Sequence, residues 1–186
     1  MYKLCKTEQS ARRQRELEYG LLQAMLSKNY EDISSSDLCD QLQIPRKSFY
    51  RYFSSKDGAF HALLDHSLQD CTCFLEPQIN ILDTLTQYFQ FWLDQKPLLD
   101  ALEKSGLSGK LVERTVNTAL GDQAFASHLL QDYAGLDQQH VILFIISGLM
   151  SVVIHWHHSG CRQPPQQMAV TAARLLTRPL FPFHEK

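Results

Sequence analysis

The sequence predicts an all-α protein, and three observations carry that expectation. Nearly every segment places its apolar residues at helical period, as Leu17, Leu21 and Met25 do over residues 10–28. No run alternates apolar and polar residues as a half-buried strand does. Capping and breaking residues mark the segment ends: Ser34-Ser35-Ser36-Asp37, Pro45, Pro77, Gly135, Gly160 and Pro164-Pro165. Together they divide the 186 residues into about nine helices.

The first helix covers residues 10–28 and stops at Asn29, a residue type that substitutes for Gly in a left-handed helix end. Ser34 and Asp37 have the spacing of a capping box and open the second helix, whose inner face carries Leu38 and Leu42. Pro45 then opens a third, because a first-turn Pro removes no helical hydrogen bond. Over residues 45–53, Phe49 and Phe53 share one face while Lys47 and Arg51 share another, beside Ser48 and Tyr52. Two aromatics thus anchor a short helix that turns a basic, hydrogen-bonding surface away from the core. The fourth helix starts at Ser54-Ser55-Lys56-Asp57 and runs through Phe60, Leu64 and Leu68 to Phe74.

Beyond Pro77 the chain becomes more apolar and less basic. Helices are expected over residues 79–95, 97–104, 111–133 (with a break at Gly121), 138–158 and 166–177. Residues 1–55 read as one unit and residues 56–186 as a larger helical domain. The most apolar stretch, residues 141–154, extends only about 21 Å as a helix, short of the ~30 Å of a bilayer core. It reads as a helix buried in protein, with no membrane partner expected. The N-terminal residues lack the apolar run of a secretory signal. Five cysteines at irregular spacing do not suggest a disulfide framework, and a reducing cytoplasm is the simpler setting.

The 18 basic and 20 acidic side chains leave a formal net charge of −2, which excludes a uniformly basic nucleic-acid coat. The distribution is uneven. Residues 1–15 hold five basic residues against one acid, a net of +4, and residues 46–56 hold four basic residues and no acid, again +4. Residues 16–40 hold six acids against Lys28. Such clusters are often solvated helix faces. Here the second occupies one short helix directly after a capped helix and a tight turn, the arrangement of a helix-turn-helix whose second helix enters the major groove.

At this point the sequence resembles the tetracycline-repressor (TetR) family of bacterial transcription regulators. The resemblance covers about residues 17–64 and is densest from Ile44 to Lys56, where Ile44, Ser48, Phe49, Tyr50, Tyr52, Phe53 and Lys56 match the family pattern in order. The family usually has Gly where Asn29 and Gln43 stand, often Ala at Cys39 and commonly Leu at Ala59. Phe144, Gly148, Trp156 and Gly160, followed by Met168 and Leu175-Leu176, look like the last two helices of many members.

The resemblance implies a ligand-responsive regulator, a repressor by family habit, that binds an inverted-repeat double-stranded DNA operator as a homodimer. Arg46 and Lys47 are placed for base edges, since either side chain pairs with guanine O6/N7. Ser48 and Arg51 suit a base or a phosphate. Tyr52, Lys56 and Ser35 match or adjoin phosphate-holding positions. Tyr50 has packing as its competing role, and Phe49 and Phe53 belong to the core. A flexible Arg12-Arg13-Gln14-Arg15 segment would add backbone or minor-groove contacts. Phe89, Trp92, Phe125, His128 and Phe144 are candidates for an effector pocket, with plain core as the alternative for each. Ser147, Gly148 and Ser151 permit close helix approach and, with Met168 and Leu175, form the expected dimer surface. The effector itself is not readable.

Other chemistry is weakly represented. Cys71 and Cys73 stand two apart, a spacing that does not share a helix face, so a thiol sensor is disfavoured. His155, His157, His158 and Cys161 have i,i+3 and i,i+4 spacings that suit a metal or simply a cationic helix end. No cofactor is expected, and no nucleophile–base pair, phosphate loop or paired acidic motif suggests an enzyme. The alternatives are an interaction protein of the same fold that does not read DNA, and a small-molecule or metal-binding protein.

Overall fold

A computed structural model describes residues 1–75, 80–121 and 137–177. Among them are nine α-helices and one 3-10 turn: α1 (Glu8–Ser27), the turn Tyr30–Asp32, α2 (Ser35–Gln41), α3 (Arg46–Tyr50), α4 (Lys56–Phe74), α5 (Ile81–Asp94), α6 (Lys96–Lys104), α7 (Ser108–Gly121), α8 (Gln138–His158) and α9 (Pro165–Thr177). The all-α expectation is met. Within the described residues, pairing of extended chain is limited to an isolated antiparallel bridge between Tyr2 and Phe53. The chain divides into two compact units, Met1–Gln69 with Pro97–Gly109, and Asp70–Lys96 with Lys110–Lys186.

In the first unit α1 begins earlier than its apolar period suggests, because Thr7 caps it by accepting the Ser10 N–H at 3.3 Å. The segment 12–15, expected as a flexible arm, is therefore helical: Arg12 and Arg13 are exposed while Gln14 is buried. Leu17, Leu21 and Met25 of α1 are buried in the same unit as Leu38, Phe49, Phe53 and Leu64. Gly20 lets α2 come close, since a Cβ there would meet Leu42 at 2.7 Å.

Helix α1 does not end on a left-handed Asn29. The chain leaves through extended Lys28 and Asn29 into the 3-10 turn. Tyr30 is buried in that turn, its hydroxyl donating to Asp57 at 2.6 Å while Lys56 Nζ donates to the Tyr30 carbonyl at 2.6 Å. Burial first, and then the Asp57 carboxylate, push the Tyr30 hydroxyl pKa well above its usual range. The residues 97–109 close this unit: Ser105 accepts the Tyr30 N–H at 3.0 Å, and Lys104 donates to the Leu26 carbonyl near the end of α1 at 2.9 Å.

The second unit packs aromatic rings at its centre. Phe89 of α5 meets Trp156 of α8 edge-on, centroids 5.7 Å apart. The Trp156 indole donates to the Gln163 carbonyl at 3.0 Å and so holds the link to α9, which lies along α5. Helices α7 and α8 share Val116, Ala119, Ile142 and Ile146. Asp137 caps α8, accepting the Gln139 and His140 N–H groups at 3.0 and 3.3 Å.

At 21 residues, about 31 Å, α8 is longer than its apolar stretch alone. By length and composition it could cross a membrane. Its buried side, however, is taken up by protein: Ile142, Ile145, Ile146, Met150, Val153 and Trp156. Its other side is exposed.

Candidate nucleic-acid interface

Helix α2 starts on the expected capping box. Asp37 N–H donates to Ser34 Oγ at 3.1 Å and Ser34 N–H donates to the Asp37 carboxylate at 2.8 Å. That second bond, from the Ser34 backbone, holds the Asp37 carboxyl below the usual carboxylate range. The turn out of α2 is a Schellman motif: Ile44 N–H donates to Cys39 O at 2.9 Å and Gln43 N–H to Asp40 O at 3.2 Å. It requires a left-handed residue, and Gln43 takes that conformation at φ 51°. The position where glycine is usual therefore keeps its geometry without glycine.

Pro45 caps α3 from outside the helix, with ψ 139°, and the helix is five residues long rather than reaching Phe53. Phe53 instead turns into the bridge with Tyr2, and Lys3 N–H donates to the Tyr52 carbonyl at 3.0 Å. The sides of this corner are sorted as the pattern demands. Phe49 and Phe53 are 0% and 1% exposed, while Arg46, Lys47 and Arg51 are exposed and Ser48 is half-buried. Tyr50 is half exposed with its ring edge-on to Phe49 at 5.6 Å, so surface and packing roles coexist in one side chain.

Other expected contacts sit less openly. Ser35 is half-buried at the start of α2. Tyr52 is buried, with the Arg51 guanidinium 6.0 Å from its ring centre. Lys56 is half-buried and committed to Tyr30, its ammonium 4.0 Å from the ring centre as well as bonded to the carbonyl. Sequence reasoning missed a cleft of about 500 Å³ lined by Ser10, Arg12, Arg13 and Glu16 of α1 with Arg51 and Tyr52. The i,i+3 and i,i+4 spacing of Arg13 and Arg12 to Glu16 was its available signal. It also missed the buried Glu18 carboxylate, which meets His66 Nδ1 of α4 at 2.8 and 3.0 Å, 48 residues apart in sequence.

In the second unit Phe89 and Trp92 are fully buried on α5. Phe144, expected with them in a pocket, is 75% exposed, because its position on α8 falls on the side away from Ile142, Ile145 and Ile146. Phe125 and His128 lie outside the described residues. Phe144 shares its exposed side with Gly148 and Ser151, next to half-buried Ser147, whose hydroxyl donates to the Leu143 carbonyl. On α9, Leu175 is exposed and Met168 half-buried. Cys71 is buried, which pushes its thiol up to about 12, whereas Cys73 is exposed. His155 and His158 are exposed and His157 buried, and no three metal-ligating side chains converge among the described residues.

Residues 80–178, just over half of the chain, match the family model TetR_C_8, the transcriptional regulator C-terminal region. The chain belongs to the TetR family. The matched region holds α5 to α9 and lies outside the Ile44–Lys56 motif, so two separate parts of the chain point to the same family. Solved structures agree with this TetR fold. The fatty acid degradation regulator FadR from Bacillus halodurans superposes with a TM-score of 0.60 at 12% identity, over 93% of this chain and 96% of that one. A TetR-family regulator from Streptomyces coelicolor gives 0.59 at 21% identity, over 88% and 78%. One from Pectobacterium atrosepticum gives 0.57 at 15%, over 93% and 96%. No curated protein sequence matches significantly. The chain is thus a TetR-family transcriptional regulator, from a family of regulators rather than enzymes.

Proposed function

We propose that this regulator is a cytoplasmic repressor that binds an inverted-repeat operator as a homodimer and leaves it when a small-molecule effector binds. The observation that carries the reading is the sorting of α3 and the turn after it: Phe49 and Phe53 are buried while Arg46, Lys47 and Arg51 face solvent. Arg46 and Lys47 read base edges, and Ser48, Tyr50 and Arg51 contact bases or adjoining phosphates. Ser35, Tyr52 and Lys56 hold the backbone register. For Lys56 that requires an outer face of an ammonium already bonded to Tyr30. In this reading residues 1–55 read DNA and residues 56–186 bind the effector and the second copy.

The second copy docks on the exposed side of α8 and α9 at Ser147, Gly148, Ser151, Met168 and Leu175, to which the outward Phe144 now belongs. The exposed side of α8 carries the apolar Leu143 and Phe144 beside Gly148, surface that a partner would cover, and closed two-fold symmetry supplies one for a palindromic site. Phe89 and Trp92 line the effector site, where 1–3 kcal/mol of coupling is typical for release.

Selection of bound duplexes from a random pool, followed by affinity measurement of the Lys47→Ala/Arg51→Ala double variant, tests this reading. The expected result is an inverted repeat with half-sites about 34–36 Å apart or a multiple of that. The double variant should lose discrimination at about 1–3 kcal/mol per bidentate contact removed. A folded double variant that binds the selected site as the wild type does refutes the assigned face. If the pool yields no site, an interaction protein of this fold is the better account.

A further inference from the structure

The cleft between the first half of α1 and the end of α3 lies beside the groups assigned to bases and has its own electrostatic design. Its lining carries three guanidinium groups, Arg12, Arg13 and Arg51, against one carboxylate, Glu16. Glu16 holds Arg13 at 2.6 Å and Arg12 at 3.7 Å, with all three side chains at least 46% exposed. Arg51 has the Tyr52 ring at 6.0 Å and no carboxylate partner among the described residues. Ser10 Oγ accepts from the Thr7 hydroxyl at 2.9 Å, leaving its own proton for an outside acceptor. One carboxylate does not neutralise three arginines. The surplus is two positive charges in an open cleft of about 500 Å³.

We infer that this cleft is a seat for a phosphodiester of the DNA backbone, and that Glu16 is a built-in competitor for it. In the free protein Glu16 accepts a hydrogen bond from Arg13 Nη1 at 2.6 Å and lies 3.7 Å from Arg12 Nε as an ion pair. A phosphate in the cleft would take the Arg12 and Arg13 donors in place of Glu16, with Arg51 and Ser10 on the same lining, and its oxygens suit bidentate acceptance from guanidinium. Glu16 thereby weakens attachment to all DNA equally, leaving discrimination to α3. This rests on the proposed DNA-reading function and adds a site and a regulator of its strength.

The test compares wild type with Glu16→Gln, Arg13→Gln and Lys47→Ala, using the selected operator and an unrelated duplex over a salt series. Glu16→Gln should tighten both duplexes by the same factor, roughly three- to tenfold. Arg13→Gln should weaken both alike and make the slope of log K against log salt shallower by about one per subunit. Lys47→Ala should instead narrow the gap between the two duplexes. Melting temperatures of the Glu16 and Arg13 variants should stay near wild type, because an exposed pair contributes little to stability.

If Lys47→Ala behaves as expected but Glu16→Gln and Arg13→Gln leave both affinities unchanged, the seat is overturned and the DNA-reading function stands. If wild type binds neither duplex, the function itself fails. A last arm titrates inorganic phosphate: Arg13-dependent phosphate binding with DNA affinity unmoved would assign the cleft to a free phosphate ligand and refute the DNA seat.

Discussion

The turn between α2 and α3 can be tested against two others in the same chain. Gly106 after α6 and Gly160 after α8 both close Schellman motifs, with Leu107 N–H to Leu102 O at 2.8 Å and Cys161 N–H to Trp156 O at 3.0 Å. Their φ angles are 66° and 82°, and a Cβ at either would meet nothing within 4 Å. Gln43 performs the same role at φ 51° with a side chain attached. The left-handed conformation costs an L-residue about 1–2 kcal/mol. Glycine avoids that cost but loses about 0.5–1 kcal/mol more chain entropy on folding. Gln43→Gly should therefore stabilise by roughly 0.5–1 kcal/mol, raising Tm by about 1–4 °C for a chain of this size. The mirror experiment is Gly106→Ala, which should destabilise by about the same amount because the added methyl meets open space. Thermal melts followed by circular dichroism measure both, and Gln43→Ala controls for loss of the amide group. If Gln43→Gly melts no higher than Gln43→Ala, while Gly106→Ala leaves Tm unchanged, left-handed backbone is not what limits these turns.

Four further outcomes follow from the described geometry. Ser34→Ala should destabilise by about 1 kcal/mol at neutral pH through loss of the α2 cap. Because the folded-state pKa of Asp37 is lowered, its contribution is present above the unfolded carboxylate pKa of about 3.9 and fades as pH falls through the lower folded value. Melts of wild type and Asp37→Asn should accordingly differ at pH 7 and converge in strong acid. A persistent difference there would refute the capping assignment. Alkylation at pH 8 with mass-spectrometric readout should label Cys73 before Cys71, whose thiol sits at about 12, and equal labelling rates in the folded chain would overturn that order. Phe144→Asp should leave the protomer folded, since the ring is already 75% exposed, and shift sedimentation toward the monomer. An unchanged dimer would remove α8 from the contact.

The helices were legible because their boundaries are written in local chemistry. The Ser34–Asp37 box is such a short-range signal, and the structure starts α2 where it asks. The sorting of α3 was legible for the same reason, two aromatics four apart on a short turn. What escaped depends on contacts distant in sequence. Nothing around Pro97 indicates that Ser105 accepts the Tyr30 N–H or that Lys104 reaches Leu26. The shortening of α3 follows from residues near Met1 pairing with its end: Met1 O accepts Ser54 N–H at 3.1 Å, and a Cβ on Gly58 would meet that oxygen at 2.5 Å. The side on which Phe144 falls was not legible, because a helix apolar nearly all round gives no period to say which side is inner. Packing of Ile142 and Ile146 with Val116 and Ala119, and of Trp156 on Phe89, decides it.

The size of the reading face bears on the proposed dimer. A helix of five residues exposes Arg46 and Lys47, with Arg51 just past its end. That is enough for about two bidentate base contacts, or roughly 2–6 kcal/mol of discrimination. Specific sites exceed non-specific DNA by about 4–10 kcal/mol in working regulators. One face alone falls at or below the lower part of that range, and phosphate contacts such as the inferred Arg12–Arg13 seat would not lift it, because they strengthen all DNA alike. Two faces on an inverted repeat double the discriminating energy to roughly 4–12 kcal/mol. In the proposed dimer, the side of α8 bearing Phe144, Gly148 and Ser151 would therefore have a role beyond stability: without a second copy seated there, so short a reading helix would hold DNA but scarcely choose among sequences.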